Sequence, residues 1–569
     1  MITIILSWIY IFIICFLLGI GFCSLGLKIC GKEDENPEIP VSLVTVMGIL
    51  VSTVLASCIS CVTKVGMLVS LLFIAMAIAS AIWQRKWIIA YWKKSKPIIF
   101  SWEGFFYLCF ILLIAFCTSR GEFHTDTNIY HAQNIRIYEE YGLIKGMGNL
   151  QQHFAYNSSY LAFAAAFSLK WLVGQSLHTT TGFLEVLFCI YAFGGIKRWK
   201  NHEKHLADCV KLGIPFYVLI ILVRSMSPAT DFGTMLMTLY LLAAWCDNLE
   251  NKRDVFLYSL LSVVAVLILT MKFSACLIVL LAVYPAIQLI REKQWKMIGF
   301  CLVSGIAVVC PFFIRNFLIS GWLLYPFGAI DLFNVAWKVP KEYLEHDAAQ
   351  IKVWGRCLYD VNLLDLKPSQ WIPAWWNGQE RYEKMFLGSV LAGTLLLGVQ
   401  GIHDVVKTFP VSLDKIVLIL AIYTNVLLWF LTAPFIRYGL GFLLVIPLMA
   451  VGNWCSPDSS RKGFFSILSG GLIFLIVICM SPYWDQYITD AGVFLKQHLT
   501  DPYYVKQKDY DLGNMGSVVI NGNEIFYDST YDEVNSYFTC PGTCYKDMLD
   551  RTTLMGDEIT DGFMAKNES

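Results

Sequence analysis

Charge is scarce in this sequence. Only 15% of its 569 residues are charged, and 43 Lys and Arg balance 43 Asp and Glu. The lack of net charge to hold a polyanion argues against a nucleic-acid-binding role. A cleavable leader is also not expected. Met1 to Leu27 is apolar but has no basic start and no small-residue cleavage site, so it reads as a retained span. Cys23 follows Phe22, which does not fit lipoprotein processing. The two halves show no internal repeat, which weakens a repeat-built transporter. Cysteine is not scarce, but the 18 cysteines lie mostly in apolar runs, where they act as small hydrophobes.

Apolar residues dominate instead, at 57%, with a mean hydropathy of +0.58. Many runs approach the roughly 20 residues that cross a bilayer. The expected fold is an all-α polytopic membrane protein of about 13–14 transmembrane helices. Candidate spans are 3–26, 41–63, 65–83, 103–118, 158–194, 209–224, 231–247, 255–271, 273–290, 298–318, 385–402, 414–432, 436–452 and 464–481. The chain divides into N-terminal spans (1–118), a polar loop (119–157), a central span region (158–318), a Trp-rich loop (319–384), C-terminal spans (385–481) and a small α+β tail domain (482–569).

Lys and Arg in short loops assign the sides. Basic residues fill 84–98, 197–211, 248–254, 291–297, 403–407 and 453–463, which places these loops in the cytoplasm. The count closes only if 158–194 crosses once, so 158–173 is expected to be re-entrant or interfacial. The loop 119–157, the 225–231 turn, the Lys272 turn, the loop 319–384, the Arg437 turn, the tail and the N-terminus then share the outer side.

In the first outer loop, Asp126 is placed to cap a helix running to about Tyr141. Asp126, Tyr130, Asn134, Ile137 and Tyr141 fall on one face, with Ile129, Ala132 and Ile135 on its flank, so the helix is expected to lie flat at the interface. Glu122, His124 and His131 are close by in sequence. A carboxylate here is able to deprotonate an acceptor hydroxyl; capping is the competing reading. Asp231, in Ser227-Pro-Ala-Thr-Asp231, is also a cap candidate, or a second carboxylate that with Asp126 would hold a divalent cation.

Lys272, Arg315 and Arg437 sit at the outer ends of spans, where the positive-inside rule disfavours them. Snorkelling explains any one of them. Together they suit an anionic lipid phosphate, which Arg binds in bidentate fashion. Glu185, inside an apolar run, is expected to make a helix–helix hydrogen bond.

As a set, these segments resemble the GT-C glycosyltransferases, a superfamily that includes protein O-mannosyltransferases and lipid A aminoarabinose transferases. The resemblance rests on Asp126, Tyr130, Ala132 and Gly142 of the first loop, on Ser227 to Asp231, on Thr270-Met-Lys272-Phe, on Arg315-Asn316 through Gly321 and Tyr325-Pro326, and on Arg437-Tyr438. It covers most of residues 100–450. Gly321-Trp322-Leu323 departs from the usual Asn-Pro, and there are extra spans before the acidic loop. More narrowly, the stretch from Asp126 through Ser159, together with the tail around Cys540 and Asp561-Gly-Phe563, resembles a group of bacterial multi-span membrane proteins.

The resemblance implies transfer of a sugar from a polyprenyl-phosphate-linked donor to a glycan or protein acceptor on the extracytoplasmic side of a bacterial inner membrane. It implies Asp126 as catalytic base. Asp231 matches an acidic position near the site, and Lys272, Arg315 and Arg437 match positions that hold the lipid phosphate. Glu122, Tyr130, His131 and Tyr438 join them as substrate-binding candidates. Two other readings stay open: a transporter or flippase for lipid-linked glycans, and a polysaccharide polymerase or ligase outside GT-C.

In the loop 319–384, Trp322, Trp337, Trp354, Trp371, Trp375 and Trp376 are candidates for sugar stacking or interface anchoring, and His346, Asp347, Arg356 and Asp360 for an acceptor site. In the tail, Asn521-Gly522-Asn523 between apolar stretches predicts a hairpin. Cys540 and Cys544, placed outside, are candidates for a disulfide.

Overall fold

A computed structural model describes residues 1–31, 39–200, 206–408, 412–454, 502–513, 515–528 and 537–566; the predicted span 464–481 and most of the basic loop 453–463 lie outside them. Among the described residues, nine helices are long and apolar enough to cross a membrane, or ten if a bent pair counts as one span. That is fewer than the 13–14 expected. Val255–Met271, Thr180–Gly194 and Ser159–Val173 are apolar but shorter. Thr230–Glu250 has the length but carries Asp231, Asp247 and Glu250.

Helices α1 (Ile2–Ile29) and α2 (Val41–Ser60) pack closest. Gly48 lies so near the Cys15 carbonyl that a Cβ there would clash, which is how small residues let two membrane helices approach. Helix α3 (Met67–Trp83) is followed by α4 (Arg85–Ile99), bent from it by 86°, and α5 (Trp102–Arg120) returns to the loop bearing Asp126. The predicted basic loop 84–98 is therefore a helix, because Arg, Lys, Trp and Ile there all tolerate helical backbone.

The stretch 158–173 does not cross the bundle. Helix Ser159–Ala166 has eight residues, or about 12 Å, too short to span. Its start is held by Ser158 Oγ donating to the Met271 carbonyl, next to Lys272. Just beyond its end, Lys170 pairs with Glu140 at 2.7 Å and Glu139 at 3.7 Å. Both ends thus stay on the end of the bundle that holds Asp126.

The first loop folds as one turn of wide helix (Thr127–His131) running into α6 (Ala132–Glu140). Gly142 ends it with a positive φ of 78°. The helix is not laid out on a lipid surface. Ile129, Ala132, Ile135, Ile137 and Tyr138 are all buried: Ile135 and Tyr138 pack into the core of the helix bundle, while Ala132 and Ile137 pack with the C-terminal segment. Gln133 bonds the Thr539 carbonyl and the Gly542 amide, and Gln151 bonds the Cys544 amide.

That segment contains two small sheets. Strands β1 (Met515–Ile520) and β2 (Asn523–Asp528) form the expected hairpin, with Asn521 and Gly522 both at positive φ. Strand β3 (Gly542–Thr543) joins β2, and β4 (Thr552–Leu554) pairs with β5 (Phe563–Ala565). Cys540 and Cys544 are buried and not joined by a disulfide. The strand between them keeps the chain extended, and the Cys544 thiol faces the Ile129 carbonyl at 3.7 Å, so the expected disulfide is not formed.

Candidate functional site

Four segments far apart in sequence meet at one end of the bundle. Asp126 precedes the wide helical turn, but its side chain caps nothing. Its Oδ2 instead accepts from Arg437 Nη2 at 3.1 Å. Asp231 sits in the first turn of Thr230–Glu250, where the helix dipole favours a carboxylate, and it too makes no cap. It takes Lys272 Nζ on Oδ1 and faces Arg437 Nε at 3.7 Å with Oδ2.

Lys272 is delivered by a break. Helix Val255–Met271 ends, Lys272 itself is extended (φ −155°, ψ 122°), and a tight helical segment starts at Phe273. Its ammonium lies 4.0 Å from the centre of the Tyr438 ring. Arg437 and Tyr438 open the helix Ile436–Leu443, and Arg437 Nη2 also donates to the Tyr438 hydroxyl at 3.2 Å. Trp375 supports this turn by donating to the Pro434 carbonyl.

The cluster is partly open: the side chains of Asp126, Lys272 and Arg437 are 22%, 24% and 33% exposed, and that of Asp231 only 7%. Arg437 Nε is itself buried and makes no hydrogen bond among the described residues, facing only Asp231. Burial pushes the Asp126 carboxyl up, but Arg437 first, then His124, His131 and Lys272, bring it net below the usual carboxylate range. Asp126 is therefore ionised.

His124 belongs here, although the sequence offered only its proximity to Asp126. Its Nε2 lies 2.8 Å from Arg437 Nη1, and its Nδ1 accepts from the Asp126 amide at 3.1 Å. Burial is the main reason its ring titrates below the ordinary histidine range. Ser227 ties the loop down by accepting from the His124 amide and bonding Thr127. Neither contact has a signal in spacing, since each spans about a hundred residues or more.

The other candidates divide. Tyr130 is half-buried, with its ring 4.2 Å from that of His131 and stacked on that of His153 at 5.3 Å. Asp126 and Asp231 both contribute to raising its hydroxyl's pKa, after burial. His131 is 1% exposed, wedged between Thr127 (3.3 Å) and Thr230 (3.5 Å), and burial pushes its ring down to about 3. It pins the loop to the helix Thr230–Glu250 rather than facing a ligand. Glu122 is exposed and held through its amide to the Val223 carbonyl.

Arg315 is not part of the cluster. It is 3% exposed, donates to Ser60 and to the Gly142 carbonyl (3.3 Å), and stacks on Tyr138. Those local acceptors satisfy the charge and fasten the end of α2 to the end of α6. Glu185 accepts from Ser225 at 2.8 Å; Ser225 lies in the turn after Leu222–Arg224, so the bond joins a helix to a turn and is not the helix–helix bond expected.

The two carboxylates are engaged by cations in this structure. Each already faces a cation, and among the described residues no group of three or more His, Cys, Asp or Glu converges. The Trp-rich loop is mostly internal: Trp322, Trp337 and Trp375 donate to backbone carbonyls, Trp371 is buried, and only Trp354 and Trp376 are largely exposed. His346 and Asp360 are exposed, and Arg356 is buried against Trp371. Asp347 is buried and accepts from Tyr156 at 2.6 Å, so these four form no common site.

No curated protein and no solved structure matches the chain. A family model described as Domain of unknown function (DUF8201) matches residues 1–444, a stretch that takes in Asp126, Asp231, Lys272 and Arg437 and stops before the C-terminal sheets, and the chain belongs to that family.

Proposed function

We propose that the protein is an integral-membrane glycosyltransferase of GT-C type. It moves a sugar from a polyprenyl-phosphate-linked donor to a glycan or protein acceptor on the extracytoplasmic side of a bacterial inner membrane. One observation supports this above others: Asp126, Asp231, Lys272 and Arg437 share one partly open charge network at one end of the bundle.

The chemistry follows from those groups. The donor phosphate binds Arg437 and Lys272, whose Tyr438 neighbour helps fix both. The acceptor hydroxyl attacks the anomeric carbon as Asp126 takes its proton. The bond from that carbon to the phosphate oxygen breaks, and the two cations stabilise the charge left on the lipid phosphate. Donor binding also removes Arg437 from Asp126. The carboxylate then loses its chief stabilising charge and becomes a stronger base when the acceptor needs one.

The test uses the full chain in liposomes with radiolabelled polyprenyl-phosphate sugars. Release of polyprenyl phosphate together with a labelled acceptor supports the reading; intact donor after prolonged incubation with cell-envelope acceptors refutes it.

A second reading, a flippase for lipid-linked glycans, draws on ion pairs elsewhere in the bundle that have at least one buried member. Lys211 is 3% exposed and pairs with Asp247 at 2.8 Å and Asp208 at 3.5 Å, and Arg253 faces Asp414. Movement of a fluorescent lipid-linked glycan between leaflets, with no sugar transfer, would favour it.

A further inference from the structure

Helix α4 carries a feature that the site does not use. Between Gln84 and Ser101 there are five cations, Arg85, Lys86, Lys93, Lys94 and Lys96, and no acid. All five are exposed, and none forms an ion pair with a described residue. The helix lies across the bundle. Helix α3 leaves the site end, where the Val65 amide bonds the Tyr138 carbonyl, runs 17 residues (about 25 Å), and meets α4 at 86°. Helix α5 then carries the chain back to Gly121. So α4 sits at the end opposite Asp126, close to parallel with a membrane plane that the long apolar helices cross.

Its faces differ. Trp87 and Tyr91, one turn apart, hold it to the protein: Trp87 is buried, and Tyr91 donates to the Ile39 carbonyl at 2.8 Å. Ile89, Trp92 and Ile99 form an exposed apolar row, each more than half exposed. By helical spacing Arg85 and Lys96 fall within that row, Lys86 and Lys93 lie beside it, and Lys94 lies nearer the side held to the protein. A helix held to the protein on one side, with long-stemmed cations interleaved among exposed apolar side chains on the other, suits the boundary between acyl chains and headgroups. Unpaired cations there favour anionic headgroups over zwitterionic ones.

We propose that α4 is a binding surface for anionic phospholipid headgroups in the leaflet opposite the Asp126–Arg437 cluster. The helix holds the lipid phosphate with Lys86, Lys93, Lys94 and Lys96, while Ile89, Trp92 and Ile99 enter the acyl region. This is separate from any donor site and does not depend on the glycosyltransferase reading.

The experiment is native mass spectrometry of the full chain, titrated with phosphatidylglycerol or phosphatidylcholine. Wild type should retain phosphatidylglycerol several-fold better. The quadruple variant K86Q/K93Q/K94Q/K96Q should lose that preference, and the four Lys→Arg changes should keep it. Thermal melting in phosphatidylcholine checks that both variants fold; should the Gln variant fail to fold, wild type at rising salt takes its place, and the preference should fade. Equal retention of the two lipids by wild type overturns the proposal. So does a preference that survives charge removal or high salt, which would place the bound lipid away from the α4 cations.

Discussion

Arg437 faces two carboxylates at once, with Nη2 3.1 Å from Asp126 and Nε 3.7 Å from Asp231. Those acids come from different segments, a loop and a helix start, so one guanidinium sets the position of both. Asp126 is the more exposed of the two, and its other oxygen makes no hydrogen bond among the described residues. Asp126→Asn keeps the shape and the contact with Arg437 but removes the base. Transfer should fall on the order of 10²–10⁴-fold, with donor affinity within a few-fold of wild type. Titration with labelled donor and a single-turnover assay separate the two quantities. Normal turnover would remove Asp126 from the chemistry.

The pair Lys272–Asp231 makes a different claim. Replacing Lys272 by Met leaves Asp231, 7% exposed, with only the more distant Arg437. Losing one partner of a buried pair costs roughly 3–5 kcal/mol. Because Lys272 is about a quarter exposed, a loss of roughly 2–3 kcal/mol is expected. The double variant K272M/D231N should recover at least half of it, since neither charge is then stranded. Thermal melting of the four proteins in one detergent reads the coupling. Additive losses would mean that the two side chains act independently.

Much of this network was legible in the sequence. Lys272, Arg437, Asp126 and Asp231 stood out because ionisable groups beside membrane spans need a compensating partner, and here they compensate one another. The same signal misplaced Arg315, because Ser60, Gly142 and Tyr138 satisfy it locally and no sequence rule sees those contacts. His124 was passed over for the converse reason: its bond to Arg437 joins positions more than 300 residues apart. A single crossing of 158–194 is expected from charge counting alone, and eight-residue Ser159–Ala166 is too short for the first half to cross. Spacing suggested a disulfide at Cys540 and Cys544, but it could not show that strand pairing holds them apart.

Asp347 offers a test in pH. Burial raises its carboxyl to about 6 from an ordinary 3.8, with Tyr156 opposing. The folded protein then binds this proton more tightly than the unfolded chain. Between about pH 4 and pH 6 that difference makes stability fall as pH rises, and the loss persists at neutral pH. Asp347→Asn keeps an acceptor for Tyr156 without the buried charge. It should melt higher than wild type at pH 7, by on the order of 2–3 kcal/mol, and match it near pH 4. Melting curves across that range decide the matter; a variant less stable at pH 7 would mean that the ionised carboxylate is used.

The last prediction concerns sides. Glu122 is exposed in the first loop, Glu345 on the helix Lys341–Gly355 and Val519 on β1, and all three belong to the end that holds Asp126. The links are direct: Asp347 bonds Tyr156, and the C-terminal segment bonds Gln133 and Gln151. Lys86 is exposed on α4 at the other end. Single cysteines at Glu122, Glu345 and Val519 should therefore react with an impermeant maleimide in intact cells, above the background of the native thiols. A cysteine at Lys86 should react only after the membrane is opened. Reversal of all four would keep the fold but turn the site toward the cytoplasm, and a polyprenyl-linked donor on the outer leaflet could not reach it. A split among Glu122, Glu345 and Val519 would break the assembly of loop, helix and C-terminal sheets on which the candidate site depends.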